Sequence, residues 1–502
     1  MFKAFLKQYW DIAKIKENKK WLVCAALLFP PILYLLFPTR EFYWDGVIFS
    51  IDIENVSMNG NFWLLFRPNH LIYNSVGYLF FKMFGEGVKA LFLLQILNSL
   101  LAGCCILIVY QTLKKVIHSR FYSVSLALFM AFSATWWRFA TDANAYIPSI
   151  LFLLVCYRWL LPTEKPRPLA VGFVFAIAML FHQLAILFYP ASVLLLWKQT
   201  RKWSALIGYT AVSFTVTIVL YIALYCCIPG NESFWSWIVT HSAESHFTFS
   251  FLQNFMASLQ GNRRLFFGGR IGLLQLNAVT VLGIAGLSVA IGLLVKLRKE
   301  IGKGFCELWA QMRKFSISDN SALFLWIFCY FAFLLVWLPK NTFYRLFYLP
   351  AIILLLAALG HPWKQKFRHS ILVALTVLFF WNFTFLIYPY SRPENNKILE
   401  FALQHNSSWP QGTTIIYSNY HSSLWTVSYF NPQVHWLGKY RYEDIVKYET
   451  DEPLWLEGTA YNLIREHPEG DQWLSSHIDM ERSIIYRSKN LTLRFYRISS
   501  PR

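Results

Sequence analysis

Residues 88–112 read VKALFLLQILNSLLAGCCILIVYQT, and this stretch decides the class of the fold. After Lys89 it contains no charged residue, and as a helix it is long enough to cross about 30 Å of hydrocarbon. The rest of the chain shares this character, because 56% of its 502 residues are hydrophobic and only 15% are charged. Ordinary soluble proteins carry about 25% charged residues. The sequence therefore predicts an α-helical, multi-span membrane protein.

Similar apolar runs, some of them short or broken, recur along the first 388 residues. The sequence predicts about eleven transmembrane helices, near residues 21–38, 88–112, 121–137, 145–161, 168–181, 184–197, 204–228, 271–295, 321–338, 346–360 and 370–388. The first run has no small-residue cleavage site, so we expect an anchor and not a removed signal peptide.

Lysine and arginine clusters between these runs predict the orientation of the chain. The clusters lie at 3–20, 114–120, 165–167, 198–202, 296–314 and 364–368. Positively charged segments stay in the cytoplasm, so we expect all of these segments there. An odd number of spans then gives a cytoplasmic N-terminus and an external C-terminus. The expected location is a bacterial plasma membrane.

The formal net charge of +19 would suit a nucleic-acid-binding protein, but the position of the charges argues against that class. Residues 1–388 hold 34 of the 46 Lys and Arg and 14 of the 27 Asp and Glu, which leaves 12 and 13 for residues 389–502. The basic excess therefore belongs to the membrane part, and we expect no nucleic-acid partner.

The predicted organisation differs between the two faces of the membrane. Cytoplasmic links are short and basic, whereas the outer face carries two long loops, at about 39–87 and 229–270. We expect a transmembrane catalytic domain over residues 1–388 and a soluble extracytoplasmic domain over residues 389–502. Any chemistry is expected on the outer face.

The C-terminal domain reads as a small α/β domain, with an α+β arrangement as the alternative. Residues 394–404 (ENNKILEFALQ) predict a helix, and residues 413–418 (TTIIYS) predict a buried strand. Residues 483–498 predict a β-hairpin that turns at residues 488–490.

The first outer loop contains WDGVIFSIDIEN, residues 44–55, which predicts a helix at the membrane interface. On that helix Asp45 and Asp52 share a face, and Glu54 points away from it. The two aspartates are then about 10 Å apart along the helix axis, too far to chelate one ion by themselves. We therefore expect one of them to act with partners from elsewhere in the chain.

The order of elements on the outer face is similar to that of a known superfamily. Asp45 lies a few residues after the first span, and a Pro-Asn-His turn follows at 68–70. The second span contains QILN at 95–98, and WWRFATDANAY occupies the next outer turn at 136–146. These features resemble the GT-C superfamily of polyprenyl-phosphate-sugar-dependent glycosyltransferases. The protein mannosyltransferase and aminoarabinose transferase branches are the closest in layout.

This resemblance implies a role for the first acidic residue of the outer loop. In the superfamily that residue is the catalytic base, which takes a proton from the acceptor hydroxyl, and Asp45 matches its position. The superfamily commonly has a second acid next, whereas this chain has Gly46. Asp52 and Glu54 are therefore candidates for part of the role.

Two further polar residues of the outer turns are candidate catalytic residues. Asp142 would position the acceptor or a metal ion, or else it caps the helix that follows. His70 would carry a proton or bind a metal ion, or else it hydrogen-bonds its own turn. A divalent ion, Mg²⁺ or Mn²⁺, is thus an open alternative, with Asp45 and Asp142 as its candidate ligands.

Transfer from a lipid-linked sugar phosphate also needs positive charge against the leaving phosphate. The candidates for binding the donor phosphate are Arg67, His182, Arg270, Lys340 and Arg345. We favour Arg270 and Arg345, because each lies close to a predicted span and the planar guanidinium suits phosphate. The simpler explanations are contacts with anionic headgroups for the arginines and a buried polar contact for His182.

The sequence therefore predicts an inverting glycosyltransferase that acts at the outer face of the membrane. It would move a sugar from a polyprenyl-phosphate-linked donor to a hydroxyl of a lipid, glycan or protein acceptor. A lipid-linked polysaccharide polymerase or ligase is the enzymatic alternative, because large outer loops with Arg and His fit it too. A multi-span transporter is the non-enzymatic alternative, but repeated halves or matching broken helices would be expected of it.

Overall fold

The computed structural model describes residues 20–85, 87–162, 164–229, 233–240, 247, 250–299, 302, 317–359, 367–488 and 491–499. The chain forms two compact units. The first comprises Met1–Thr39 and Asp52–Pro389, and the second comprises Arg40–Ile51 and Tyr390–Arg502. The helix Trp44–Asn59 therefore contributes its first half to the second unit and the remainder to the first.

The first unit is helical, as expected of a chain that must satisfy its backbone hydrogen bonds within lipid. Up to residue 390 the α-helices are α1 (Lys20–Leu36), α2 (Trp44–Asn59), α3 (Tyr73–Phe84), α4 (Ala90–Ile117), α5 (Arg120–Ala131), α6 (Ala134–Ala140), α7 (Tyr146–Trp159), α8 (Pro168–Phe181), α9 (Tyr189–Thr200), α10 (Trp203–Tyr225), α11 (Phe234–Thr240), α12 (Phe251–Phe266), α13 (Ala278–Lys296), α14 (Ile317–Trp337), α15 (Leu349–Leu359), α16 (Phe367–Asn382) and α17 (Tyr388–Tyr390). Short 3₁₀ turns are Phe62–Leu65, Pro68–His70, Gln183–Phe188, Ile271–Leu273 and Phe343–Phe347, and Phe383–Ile387 is a π-helical turn.

Within the described residues, five helical segments are long and apolar enough to cross a membrane. They are Ala90–Ile117, Trp203–Tyr225, Ala278–Lys296, Asn320–Trp337 and Arg368–Tyr390. Shorter apolar helices of 10–17 residues accompany them. The prediction of an α-helical multi-span membrane protein is thus confirmed, and a helix overlaps each predicted apolar run. The number of spans and their orientation remain predictions.

The segment between α1 and α4 contains the two helices α2 and α3, and both pack close to the start of α4. Gly77 of α3 lies at the tightest point of this contact. A Cβ atom added there would lie 2.7 Å from Leu94 Cδ2 and 2.9 Å from Ile53 Cδ1. A larger residue at this position would therefore require the Leu94 and Ile53 side chains to move.

The predicted apolar run at 271–295 differs from the helix that forms there. Residues Ile271–Leu273 form a 3₁₀ turn, and α13 begins at Ala278. The reason is a capping box, in which Asn277 Oδ1 accepts from Thr280 N at 3.0 Å and Thr280 Oγ1 accepts from Asn277 N at 2.9 Å. These bonds satisfy backbone donors that an apolar residue would leave exposed.

Asn382 connects three segments of the first unit at the end of α16. Its Nδ2 donates to the carbonyl oxygens of Phe132 at 2.8 Å and Phe266 at 2.7 Å. Its Oδ1 accepts from Gly268 N at 3.1 Å. The side chain is fully buried. One amide thus satisfies backbone groups at the ends of α5 and α12, immediately before the π-helical turn begins.

The second unit contains a five-stranded mixed sheet of order β2-β1-β3-β5-β4. Its strands are β1 (Thr414–Tyr417), β2 (His435–Gly438), β3 (Leu454–Glu457), β4 (Ile478–Ser488) and β5 (Leu491–Ile498). Its remaining helices are α18 (Lys397–Gln404), α19 (Ser422–Phe430), α20 (Tyr442–Val446), α21 (Gly458–Arg465) and α22 (Gly470–His477), after a 3₁₀ turn at Pro393–Asn395.

The pairing of the strands confirms a small C-terminal α/β domain. Strand β1 pairs in parallel with β2 and β3, whereas β5 pairs antiparallel with β3 and β4. The core on one side of the sheet includes Ile416, Leu456 and Ile464. The predicted hairpin is β4 and β5, and its turn residues Lys489 and Asn490 lie outside the described residues.

Candidate active site

Asp52 and Arg67 form an ion pair between α2 and the turn at Pro68. Asp52 lies on α2 and is 4% exposed, and its Oδ2 accepts from Arg67 Nε at 2.5 Å. Asn74 Nδ2 of α3 donates to the same oxygen at 3.2 Å. Burial raises the pKa of the Asp52 carboxyl, and the Arg67 charge opposes that rise. The loop thus holds a buried acid against a half-buried cation.

A proline explains why Arg67 reaches this position. Arg67 has extended backbone angles, φ −90° and ψ 127°, as a residue before proline prefers. Pro68 then starts the 3₁₀ turn. The Pro68 carbonyl accepts from Tyr221 Oη at 2.5 Å and from Gln183 Nε2 at 3.0 Å. Two side chains from other parts of the first unit therefore fix the peptide unit next to Arg67.

The same turn brings His70 against His182. The ring centroids are 4.7 Å apart with the rings nearly perpendicular, and Tyr146 packs on the His182 ring at 4.9 Å. His182 Nδ1 accepts from Leu184 N at 3.1 Å, so the proton of the neutral ring lies on Nε2. Burial lowers the pKa of His70 to about 3, so this ring is neutral at physiological pH.

Asp142 lies in the turn before α7 and is buried. Its Oδ1 accepts from Ala143 N at 2.9 Å. Asn98 Nδ2 of α4 donates to the carbonyl oxygens of Asp142 and Asn144, both at 2.8 Å. This turn places the Tyr146 ring against His70 and His182. One carboxylate oxygen of Asp142 is therefore used to shape the turn.

Glu54 contacts the start of a helix. Its Oε1 accepts from Ala90 N, the first residue of α4, at 2.8 Å. A carboxylate in this position satisfies an otherwise unpaired backbone donor and complements the helix dipole. This contact gives Glu54 a structural use on the opposite side of α2 from Asp52.

Asp45 is half-buried in the first turn of α2, in the part of that helix assigned to the second unit. The backbone N–H groups at a helix N-terminus stabilise negative charge. An ionised carboxylate is the form that accepts a proton. The position is therefore suited to a general base, and the role itself remains a prediction.

Arg345 is fully buried in the 3₁₀ turn before α15. Its Nε donates to Asn341 O at 2.7 Å, and its Nη1 donates to Tyr348 Oη at 2.6 Å. Its Nη2 donates to Ser258 Oγ at 2.9 Å and to Pro339 O at 2.6 Å. The guanidinium is therefore engaged by protein groups, and this arrangement favours a structural role over phosphate binding.

The other predicted phosphate ligands of the later loops lie at the surface. Arg270 and Lys340 are both exposed. The Arg270 backbone N donates to Phe385 O at 3.0 Å, which fixes the chain next to the π-helical turn. Neither residue has a described contact with Asp52, Arg67, or the histidines.

An apolar groove of about 580 Å³ lies beside the turn at Pro68. Met179, Gln183, Ile186, Phe214, Thr217, Ile218, Tyr221, Phe234, Trp235 and Ile238 line it. Gln183 and Tyr221 are the two residues that bind the Pro68 carbonyl. Gln183 also follows His182 directly in the chain. Two side chains that line the groove therefore contact the turn that follows Arg67.

The predicted metal ligands do not form a protein cage. Among the described residues no group of three or more His, Cys, Asp or Glu side chains is placed to hold an ion. Mg²⁺ in phosphate-transfer sites is often held by one or two carboxylates together with substrate phosphate. A divalent ion here would have to depend on the donor phosphate in that way.

Several residues of this site escaped the sequence analysis. Gln183 and Tyr221, which fix the Pro68 carbonyl, and Asn74, which binds Asp52, were not predicted. Each is a polar side chain in or beside an apolar helix. A polar residue in such a place costs free energy unless it has a partner, and this was the signal that could have revealed them.

Comparison with known proteins agrees with the fold. The family model described as dolichyl-phosphate-mannose-protein mannosyltransferase matches residues 73–227. The crystal structure of ArnT from Cupriavidus metallidurans bound to undecaprenyl phosphate has a TM-score of 0.59 at 10% identity, and the apo structure has 0.61 at 11%. Both alignments cover 96% of this chain and 98% of the ArnT chain. No curated protein matches the sequence.

These findings confirm the resemblance to the GT-C superfamily. ArnT and the mannosyltransferase family are membrane glycosyltransferases of the GT-C type. At this low identity the likeness shows the fold, and the chain has the GT-C fold over nearly its whole length.

Proposed function

From this fold and site we propose that the chain transfers a sugar from a polyprenyl-phosphate-linked donor to an acceptor hydroxyl at the outer face of a plasma membrane. The observation that carries the proposal is the anchoring of Arg67. Among the described residues its contact to Asp52 uses Nε, which leaves the two terminal Nη groups for a phosphate. Gln183 and Tyr221, which line the apolar groove, bind the carbonyl of the next residue, Pro68.

The groove is proposed to hold the polyprenyl chain. The ArnT structure with undecaprenyl phosphate shows that a protein of this fold binds such a lipid. The lining is almost wholly apolar, which suits an isoprenoid. The donor phosphate would then lie against Arg67 and the Nε2–H of His182. Arg270 and Lys340 would meet headgroups or the phosphate from the surface.

The chemical step is proposed to be a single displacement with inversion at the anomeric carbon. Asp45 takes the proton of the acceptor hydroxyl, the new C–O bond forms to that oxygen, and the bond to the donor phosphate breaks. The leaving group is the polyprenyl phosphate, whose charge Arg67 stabilises. Asp52 positions Arg67, and Asp142 and His70 shape the walls of the site. No step needs to pass through a metal ion.

The test is transfer by the purified full-length protein in lipid nanodiscs. Undecaprenyl-phosphate sugars and undecaprenyl-diphosphate oligosaccharides are supplied with lipid, glycan and peptide acceptors, and release of undecaprenyl phosphate or diphosphate is measured with and without EDTA. We expect release from at least one donor, lost in Arg67→Ala and kept in the exposed control Arg263→Ala. Turnover only with diphosphate-linked oligosaccharides would indicate the polymerase or ligase alternative. No turnover with any donor would contradict the proposal.

A further inference from the structure

The second unit contains a polar and aromatic cluster that the transfer reaction does not use. Strands β2, β1 and β3 are parallel and adjacent in that order, so the chain leaves β1 towards β2 and later returns past it to β3. In open α/β sheets, ligands bind beyond the carboxyl ends of the strands at such a reversal of strand order. Here the reversal lies between β1 and β3.

Glu457 and His421 lie at that edge. Glu457 ends β3 and is 4% exposed, and its Oε2 accepts from both Thr459 N at 2.8 Å and Thr459 Oγ1 at 2.5 Å. His421 follows β1 and is partly exposed. Its Nδ1 accepts from Leu424 N at 3.4 Å, which puts the ring proton of the neutral form on Nε2.

A hydroxyl group placed to one side of these two side chains can bridge them. His421 Nε2 and Glu457 Oε1 are 3.6 Å apart, longer than a good hydrogen bond between them. The first is a donor and the second an acceptor. A hydroxyl can accept from one and donate to the other, whereas an ammonium group or a carboxylate can satisfy only one of the two.

Tyrosine rings collect at the same edge, next to the end of β1. Tyr417 and Tyr420 stack with centroids 4.8 Å apart. Tyr440, which follows β2, is 66% exposed. A Cβ atom added at Gly438 would lie 2.8 Å from Tyr440 Oη and 3.3 Å from Tyr417 Cε2, so the Tyr440 ring lies close over the end of β2. Exposed Asn419 adds an amide.

We propose that this edge, formed by His421, Glu457, Asn419 and Tyr440, is a binding site for a neutral saccharide. A sugar combines hydroxyl groups with an apolar C–H face, and C–H groups pack on the negative face of an aromatic ring. Tyr440 supplies the aromatic ring, and a sugar hydroxyl bridges His421 Nε2 and Glu457 Oε1. The inference goes beyond the transfer reaction, because it assigns carbohydrate recognition to the soluble domain itself.

The test measures sugar binding by the full-length protein in nanodiscs. Trisaccharides of glucose, galactose, mannose and N-acetylglucosamine are the probes, followed by saturation-transfer NMR and titration. We expect at least one probe to bind more tightly than about 10 mM and Tyr440→Ala to weaken it about tenfold or more. Met480→Ala, equally exposed on β4 at the far end of the sheet, should bind like wild type.

Glu457→Gln tests whether a hydroxyl bridges His421 and Glu457, and it keeps the side chain that caps α21. The two Thr459 donors require an acceptor at the Oε2 position, so the new amide nitrogen must face His421, where two donors would then meet. Binding should be lost while the thermal unfolding midpoint is kept. Asp45→Asn should bind the sugar normally, which separates this site from the transfer reaction. Absence of binding to every probe, or equal binding by wild type, Tyr440→Ala and Glu457→Gln, would overturn the proposal.

Discussion

Arg345 Nη2 donates a hydrogen bond to Ser258 Oγ at 2.9 Å and thereby joins α12 to the turn before α15. Tyr348 extends the connection, since its hydroxyl accepts from Arg345 and donates to Asn262 Oδ1 at 2.6 Å. Gly261 gives the guanidinium its space, because a Cβ atom there would lie 2.5 Å from Arg345 Nε. A buried cation thus connects α12 to the turn before α15.

Arg345→Lys should therefore destabilise the protein more than it weakens donor binding. A lysine keeps the charge but cannot reach all four partners, and leaving buried polar groups unpaired costs about 2–4 kcal/mol. The measurement is the thermal unfolding midpoint in detergent, alongside donor affinity. The control is Arg263→Lys. Arg263 is an exposed arginine of α12, and its replacement should change neither the unfolding midpoint nor the donor affinity.

Gly261→Ala provides an independent check of the same contact. The added methyl group should displace the guanidinium and lower the midpoint, even though alanine favours a helix more than glycine does. If the Arg345→Lys protein has normal stability but no longer binds donor, Arg345 is a ligand of the donor phosphate and not a structural residue.

Asp52 should make donor affinity depend on pH. Its pKa is raised by burial, so on acidification it becomes neutral earlier than an ordinary carboxyl group with a pKa of about 4. Arg67 then loses its anchor, and donor affinity should fall as the pH is lowered through that raised value. Asp52→Asn should bind donor more weakly, and its donor affinity should not fall further as the pH is lowered. The measurement is donor affinity as a function of pH, from pH 7 downwards. The control is Glu54→Gln, whose donor affinity should fall at low pH as in the wild type.

Asp45→Asn should abolish most of the transfer activity and spare donor binding. Asparagine keeps the shape but cannot accept the proton, and general base catalysis contributes about 10²–10⁴-fold. The measurement is turnover under saturating donor, with donor affinity determined on the same sample. Wild-type turnover in Asp45→Asn together with an inactive Asp52→Asn would show that the base was assigned to the wrong carboxylate.

Tyr221→Phe should raise the KM for donor a few fold and leave kcat nearly unchanged. The variant keeps the ring in the groove but loses the hydrogen bond to the Pro68 carbonyl, worth about 1 kcal/mol. Gln183 still binds that carbonyl, so the turn should persist. Tyr225→Phe on the same helix, which does not line the groove, is the control. A change in kcat alone would contradict the placement of the donor chain.

The orientation of the chain can be tested by reporter fusions. A reporter after Arg502 should be active only outside the cytoplasm, and one inserted within 298–314 only inside, because the lysine and arginine clusters stay on the cytoplasmic side. Fusions that report the same side would show an even number of spans between the two points.

The sequence predicted the elements well because apolar runs and alternating strands are local patterns. Helices formed at each apolar run, and the C-terminal hairpin formed where alternation indicated it. The start of α13 was missed because the polar pair Asn277 and Thr280 decides it, not hydrophobicity.

The candidate site was less predictable because its contacts join distant segments. Pairing of Asp52 with Arg67 needs the Pro68 turn, and the contact of His70 with His182 needs α8 to end beside that turn. Arg345 shows how contacts within the fold can favour a different role from the one that sequence position suggests. Its closeness to a span suggested a ligand for phosphate, whereas the fold surrounds it with oxygen atoms of the protein.

Asn382 also has a consequence for the biogenesis of the protein. The carbonyl groups of Phe132 and Phe266 leave the ribosome long before the amide that binds them, since Asn382 is synthesised 116 residues after Phe266 and 250 after Phe132. Until then these carbonyl groups at the ends of α5 and α12 lack this partner. Chains interrupted before residue 382 should consequently remain open at this point and be exposed to membrane quality-control proteases.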